Sequence, residues 1–483
     1  MQRKIEKIKD ITLVVLFVSA ILLLYFFWEN QPLRDFQLAD IVSSEEYETV
    51  PLDDVIVPDN IYGSSGNGVY VKVYSGKREL WQRGIAQIRK FGEASGIFVG
   101  EITKQQYLEA MSGYTSVQFD LGYEVPFSQF CDYYRIQKSQ SFDAVDGVSV
   151  IAYSTASSES LFLVQEQKGK YYRMVADSDH TQLKALAEEI AASTEAAYYP
   201  ISELMGVENT AIIPWEATVA YGPVQWKTER QRGEDSDVTA LAQSFFGENF
   251  DFIRRMMDTK GNVTYMYGYG QKTFITYANG TFEYKEEVSS ASSGNGSFYG
   301  ALDTALQYIS AHGSWHTFDG EQVKLFLSRA KAIERDKKKG YRFEFGLMAG
   351  DFPVYYDQGV PLAVEVINGQ VCYYQRSLVQ YELEESQSAP VQTNIANILA
   401  SNYETIYRLA GLTEDGTKTA EDRFDAVISS INDARLGYFC SMVQAEATGE
   451  QEMVPAWIVT LDNRLHVYFD VNSGQLLGSR EWK

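Results

Sequence analysis

The chain has 483 residues and a formal net charge of −23, with 65 Asp and Glu against 42 Lys and Arg. Such a field repels phosphate backbones and anionic surfaces, which speaks against nucleic acid as a partner, and 45% hydrophobic residues with 33 Tyr and 26 Phe against 11 Pro speak against a disordered chain. Three cysteines, Cys131, Cys372 and Cys440, are too few for a disulfide framework and show no CxxC spacing, so at most one bridge is expected.

Residues 1–10 (MQRKIEKIKD) form a basic tail, with Arg3, Lys4, Lys7 and Lys9 against Glu6 and Asp10. Ile11 to Trp28 then runs for eighteen residues without a charge, about 27 Å as a helix, which suits one membrane span. The basic flank places the N-terminus in the cytoplasm and everything after Trp28 outside. A cleaved signal peptide is the rival reading, but Tyr25, Phe26, Phe27 and Trp28 suit an interfacial aromatic belt and stand where small residues at a cleavage site would be needed. On this helix Thr12, Leu16, Ser19, Ala20, Leu23 and Phe27 fall on one face with the small residues central, a candidate stripe for a partner helix.

Residues 29–60 carry nine acids and one base, Arg34, and are broken by Pro32, Pro51 and Pro58, which reads as an extended acidic stalk leading into the first strand. A mixed α+β domain over 61–235 follows. Its expected strands are Val69–Tyr74, Ser116–Leu121, Gly147–Tyr153 and a hairpin Leu161–Gln167 with Lys170–Val175; its helices are Arg78–Phe91, Thr103–Met111 and Leu183–Ala192, the last capped by Asp179 or Thr181.

The second half repeats one pattern three times, over 236–288, 298–385 and 391–483: a helix, then an antiparallel sheet closing through an Asn-containing tight turn. The helices are Val238–Phe246, Tyr299–Ile309 and Thr393–Ala410, and the turns are Asn279-Gly280, Asn368-Gly369 and Asn472-Ser473-Gly474. Residues 320–335 fit either a strand or a longer helix. The expected fold class is thus α+β: one transmembrane helix, a mixed domain and three helix-plus-antiparallel-sheet modules.

No HExxH is present, and no GxSxG or SxxK stands with its partners. Of four histidines, His312 and His316 have the i, i+4 spacing of a zinc pair, but Gly313 and the absence of a nearby third ligand favour a turn with surface imidazoles. Glu365 and Asp470 occupy equivalent places before the last turn of two repeats, where turn capping is a simpler role than glycosidase chemistry. The run Tyr265 to Gly270 (YMYGYG) fits cross-strand pairing on a sheet better than a glycan platform. No catalytic, cofactor or metal residue is assigned, and no enzymatic activity or cofactor is expected.

The single span, the large α+β exterior and the repeated units, together with Tyr265–Lys272 (YMYGYGQK) and Pro353–Tyr374 (PVYYDQGVPLAVEVINGQVCYY), make the chain resemble the YycH family. That resemblance implies an extracytoplasmic regulator of a WalK-type (YycG-type) cell-wall sensor histidine kinase of Gram-positive bacteria, working with a YycI-like protein through membrane and exterior contacts. Trp457–Leu477 also resembles the PepSY module, which implies an alternative: an exported binding or inhibitory module with the helix as a tether. A wall hydrolase with undiagnosed carboxylates is the third reading.

Overall fold

The computed structural model describes residues 49–156, 160–193, 197–214, 220–221, 235–277, 281–289, 296–312, 323–350, 352–377, 389–390, 393–412, 418–442, 453–462 and 464–481. The expected membrane span and its six-residue face lie outside the described residues, as do Asn279-Gly280 and His316. Among the described residues no helix is long and apolar enough to cross a membrane.

The strands gather into two large sheets. The first contains β1 (Asn60–Ser65), β2 (Tyr70–Val73), β3 (Ser95–Ile102), β4 (Thr115–Pro126), β5 (Gly147–Ser154), β6 (Ser160–Gln165), β7 (Lys170–Asp177), β8 (Ala197–Pro200) and β9 (Ile212–Pro214), in the order β3-β7-β6-β5-β4-β1-β2-β8-β9. Side chains alternate across a strand, and both faces of this sheet are covered. Ile61, Val117, Phe119, Leu121, Leu161 and Leu163 meet Trp81, Ile85 and Ile88 of the helix Lys77–Gly92 and Leu183, Leu186 and Ile190 of the helix Thr181–Ala191. Tyr62, Tyr70, Val150, Ala152, Phe162 and Val164 line the other face against Tyr107, Ala110 and Met111 of the helix Lys104–Ser112. Burial on both faces is why β5 and β6 are buried along their whole length. Thr103 and Gln106 close a capping box at the start of Lys104–Ser112, and Asp179 Oδ1 accepts from Thr181 N (3.0 Å) before Thr181–Ala191.

A two-residue ribbon pairs β10 (Ala220–Tyr221) with β20 (Ala389–Pro390). The second sheet holds β11 (Arg254–Met257), β12 (Val263–Tyr267), β13 (Lys272–Thr276), β14 (Thr281–Glu286), β15 (Val323–Arg335), β16 (Lys338–Ala349), β17 (Phe352–Tyr356), β18 (Leu362–Ile367), β19 (Gln370–Ser377), β21 (Ile431–Cys440), β22 (Met453–Leu461), β23 (Leu465–Asp470) and β24 (Leu476–Glu481). Three antiparallel meanders make it up: β11 to β14 after the helix Asp235–Phe246, β15-β16-β18-β19 after Phe298–Ala311, and β21 to β24 after Ile395–Leu409 and Ala420–Ser429. They join edge to edge, β14 antiparallel to β19, while β17 pairs antiparallel with β16 and parallel with β21. Packing against the helices runs through buried Leu302, Leu306 and Ile309 in the second unit and Ile398, Leu399 and Ile406 in the third.

Several local expectations differ from the fold. Residues 323–335 are strand, settling the helix alternative, and their hairpin turns at Asp336 and Lys337, both at positive φ (50° and 62°). Asn368 (51°) and Gly369 (78°) make the expected Asn-Gly turn. The acidic stalk stops short of residue 60: Leu52–Val55 is a helical turn, Val55 and Ile56 are buried, and Asn60 already opens β1. β3 was hidden by Gly96, Gly100 and Glu101, which dilute its apolar alternation. All three cysteines are buried free thiols.

Candidate functional site

Two sheets folded from distant parts of the chain meet along a seam. Arg435 of β21 donates to Asp59 (Nη1 to Oδ2, 2.6 Å), 376 residues away, and also pairs with Asp433. Asn209 Nδ2 donates to the carbonyls of Ile428 (2.6 Å) and Ile431 (2.8 Å), and Phe298 N donates to Gln129 Oε1 (2.6 Å). Tyr133 stacks on Tyr299 at 4.2 Å between ring centroids, and Tyr74 meets Phe352 at 5.5 Å. The apolar contacts and charge-assisted bonds together fix the sheets against each other.

Between the sheets lies a cavity of about 1160 Å³. Its floor is the tyrosine-rich face of the first sheet, including Tyr62, Tyr70, Gln118 and Val150, with Tyr107 of the neighbouring helix; its roof is drawn from β15, β16, β21 and the residues around His466. The register explains how the polar groups arrive together: Asn60 stands opposite Asp120 and Tyr62 opposite Gln118, so all four share one face. Asn60 Nδ2 donates to Asp120 Oδ2 (3.0 Å) and Asp59 Oδ2 (3.2 Å), and Tyr107 donates to Gln118 Oε1 (2.8 Å).

The cavity is electrically divided. Burial alone would raise Asp59, but Arg435, with Lys77 and Lys72, overrides it and holds the carboxyl at about 2. Burial works against the charge on Arg435 as well, and Asp433 and Asp59 keep it firmly protonated. On the first-sheet side, burial and the nearby Asp59 raise Asp120, and burial with Asp120 pushes Glu166 up to about 7. On the opposite side burial, reinforced by Arg435, Arg480 and Arg329, presses His466 down to about 3, so its imidazole is neutral in a positive field. The first-sheet wall has the excess of carboxylates and the opposite wall the excess of cations, where Arg329, Lys331, Arg435, Arg464 and Arg480 outnumber Asp433 and Asp462.

Lys72 lies beneath this floor. Tyr62, Tyr74 and Tyr198 each hold its Nζ 5.6 Å from the ring centroid, and burial, then Arg435, lowers it to about 7. VYVKVY contained a hint of this: Lys72 shares a face with Tyr70 and Tyr74 while Val71 and Val73 take the other, so either side of the strand is apolar. Asp59, Asp120, Glu166 and Arg435 gave no such signal, being scattered over four distant segments.

The candidates read from sequence lie elsewhere. His312 is no surface imidazole: it caps its helix through Nδ1 and the Tyr308 carbonyl (2.9 Å) and stacks between Tyr308 (4.1 Å) and Phe245 (4.3 Å), with its pKa lowered by burial. Among the described residues no group of three His, Cys, Asp or Glu has the geometry to hold a metal. Asp470 caps its turn, accepting from Asn472 N (2.9 Å) and Ser473 N (2.7 Å). Glu365 does not; it is buried and pairs with Arg342 (2.9 Å) and Arg335 (2.5 Å), because Arg342 stands directly opposite it on β16. In the YMYGYG run Tyr265 is core, whereas Tyr269 is fully exposed at the turn.

No protein-family model matches the chain, and no curated protein matches it significantly. Among solved structures it is similar to YycH from Bacillus subtilis, with 13% identity and a TM-score of 0.52, covering 89% of this chain and 97% of that one. It is also similar to an uncharacterized protein from Eubacterium rectale, with 14% identity and a TM-score of 0.34, over 55% of this chain and 89% of that one. The fold is YycH-like.

Proposed function

We propose that this chain is a membrane-anchored extracytoplasmic regulator that modulates a cell-wall two-component sensor kinase through contact, its N-terminus cytoplasmic and its two-sheet exterior outside a Gram-positive cell membrane. The YycH-like fold, extending over 89% of the chain, carries this reading. The uncharged run Ile11–Trp28 behind a basic tail supports the anchor. The partners proposed are a sensor histidine kinase and a YycI-like protein, and the three helix-then-meander units are proposed to be copies of one ancestral module. Regulation by contact needs no catalytic centre; of the carboxylates, Glu365 and Asp59 are held in ion pairs and Asp470 in a turn cap.

The test is in the membrane. Replacing Thr12, Ser19, Ala20 and Phe27 by leucine, so that with Leu16 and Leu23 the whole face becomes leucine, keeps the span but removes the small-residue stripe. Co-purification with the sensor kinase should fall several-fold; unchanged recovery removes the membrane contact from the proposal.

The cleft favours a second reading, an exported binding module tethered by its helix. A chain beginning near Gln37 should then keep full function, whereas under the first reading it loses most of it.

A further inference from the structure

The wall of the inter-sheet cavity contains polar atoms that the fold itself leaves unused. Asn60 is 2% exposed, and its Nδ2 is committed to Asp59 and Asp120, yet its Oδ1 accepts no hydrogen bond. Tyr123, 4% exposed and also lining the cavity, has a hydroxyl with no partner. A buried acceptor without a donor carries a desolvation cost that a bound donor would cancel. What surrounds Asn60 Oδ1 specifies the donor: Asp120 lies in the same cavity wall and Glu166 close by, with Lys104 offsetting part of the charge at Glu166 and Arg435 part of that at Asp120. Both carboxyls have ionisation made unfavourable by burial and by negative neighbours, the condition an incoming cation relieves. Among the described residues no three-ligand metal grouping exists, so a hydrogen-bonding ammonium fits where a bare metal ion does not.

The far wall asks for the opposite charge. Exposed Lys331 and Arg464 line it, next to the positive field that keeps His466 neutral, and the cations there outnumber Asp433 and Asp462. Tyrosines 62, 107 and 171 form an amphipathic floor between the two poles. A volume of about 1160 Å³ exceeds what a free amino acid fills and is somewhat above that of ordinary small-ligand pockets.

We infer that this cavity binds a short peptide with free ends, its ammonium held by Asp120, Glu166 and Asn60 Oδ1 and its carboxylate turned toward Lys331 and Arg464. The exterior is then a ligand receptor as well as a contact surface, which goes beyond the regulator reading and does not depend on it.

Calorimetric titration of the purified full-length chain at neutral pH tests this with three probes: tetra-alanine with free ends, its N-acetyl form and its C-terminal amide. Free tetra-alanine should bind saturably, N-acetylation should weaken it by about tenfold or more, and amidation should weaken it by a smaller factor. Glu166→Gln, a nearly isosteric change, should shrink the difference between the free and acetylated probes, and Asp120→Asn should shrink it further. Arg464→Asn, which keeps a residue tolerant of the positive φ of 61° there, should shrink the difference between the free and amidated probes. If Asp120→Asn does not fold, Glu166→Gln decides the ammonium end. The inference is overturned if no probe saturates up to about 10 mM, if the acetylated peptide binds as well as the free one, or if Glu166→Gln leaves their ratio unchanged. Kinase co-purification is a separate measurement, so failure here and failure of the regulator reading are distinguishable.

Discussion

Two arginine–carboxylate clusters in this molecule look alike and do different work. Around Glu365, Arg342 lies directly across the ladder from the carboxylate it serves, Glu344 is on the same strand as Arg342, and Arg335 and Arg329 arrive from the adjoining hairpin. Every member belongs to one meander. Around Arg435, by contrast, Asp433 is local but Asp59 comes from the other sheet. The first cluster braces a sheet that its own hydrogen bonds already define; the second joins two sheets. Redundancy follows the same division, since Glu365 has two arginines while Asp59 has Arg435 as its direct guanidinium contact among the described residues.

That contrast can be broken most forcibly at Arg435. Arg435→Leu strands Asp59 and Asp433, and stability should fall by about 3–5 kcal/mol, read by denaturant unfolding. Its pH signature is separate. Asp59 sits at about 2 in the fold against an ordinary 3.8, so its contribution is complete above that ordinary value and is lost as pH falls through about 2. The variant should lose that part of the acid slope. Asn209→Ala, which leaves the carbonyls of Ile428 and Ile431 without their cross-seam donor, should cost about 1–3 kcal/mol. Arg342→Ala should cost about 1–2 kcal/mol, because Arg335 still holds Glu365; a loss matching that of Arg435→Leu would erase the distinction between the clusters.

The smallest effect is expected at Lys72. Its folded value of about 7 is below the ordinary 10.5, so between those limits the unfolded chain holds the proton that the fold releases, and stability rises with pH across that window. Lys72→Met should flatten the rise and leave the protein at least as stable near pH 7, measured as melting temperature against pH.

How far the sequence reaches follows the same line between local and distant. Helices with apolar residues three and four apart, such as Leu302, Leu306 and Ile309, and turns such as Asn368-Gly369 lie where their spacing places them. The helix Phe127–Tyr134 was equally legible, its buried Phe127, Phe130, Cys131 and Tyr134 having helical spacing, but it was lost among aromatic residues. The cavity was not legible. Asp59 sits in an acidic run that looks like solvated stalk, and its guanidinium partner is 376 residues away, a pairing no local period encodes. Glu365 was misassigned because its neighbourhood resembles a turn in one dimension, whereas the partner that fixes its role lies across a ladder.

β17 carries a mechanical consequence. It meets β16 over three residue pairs and β21 over three, while β21 and β22 share nine, so the ladder narrows to a waist between the central and C-terminal meanders. Gly437 permits the close approach there: a Cβ on it would stand 2.7 Å from the Pro353 carbonyl oxygen. A load drawn along the sheet concentrates on those few bonds, so under tension the central and C-terminal meanders part at this junction before either meander's own ladder gives way.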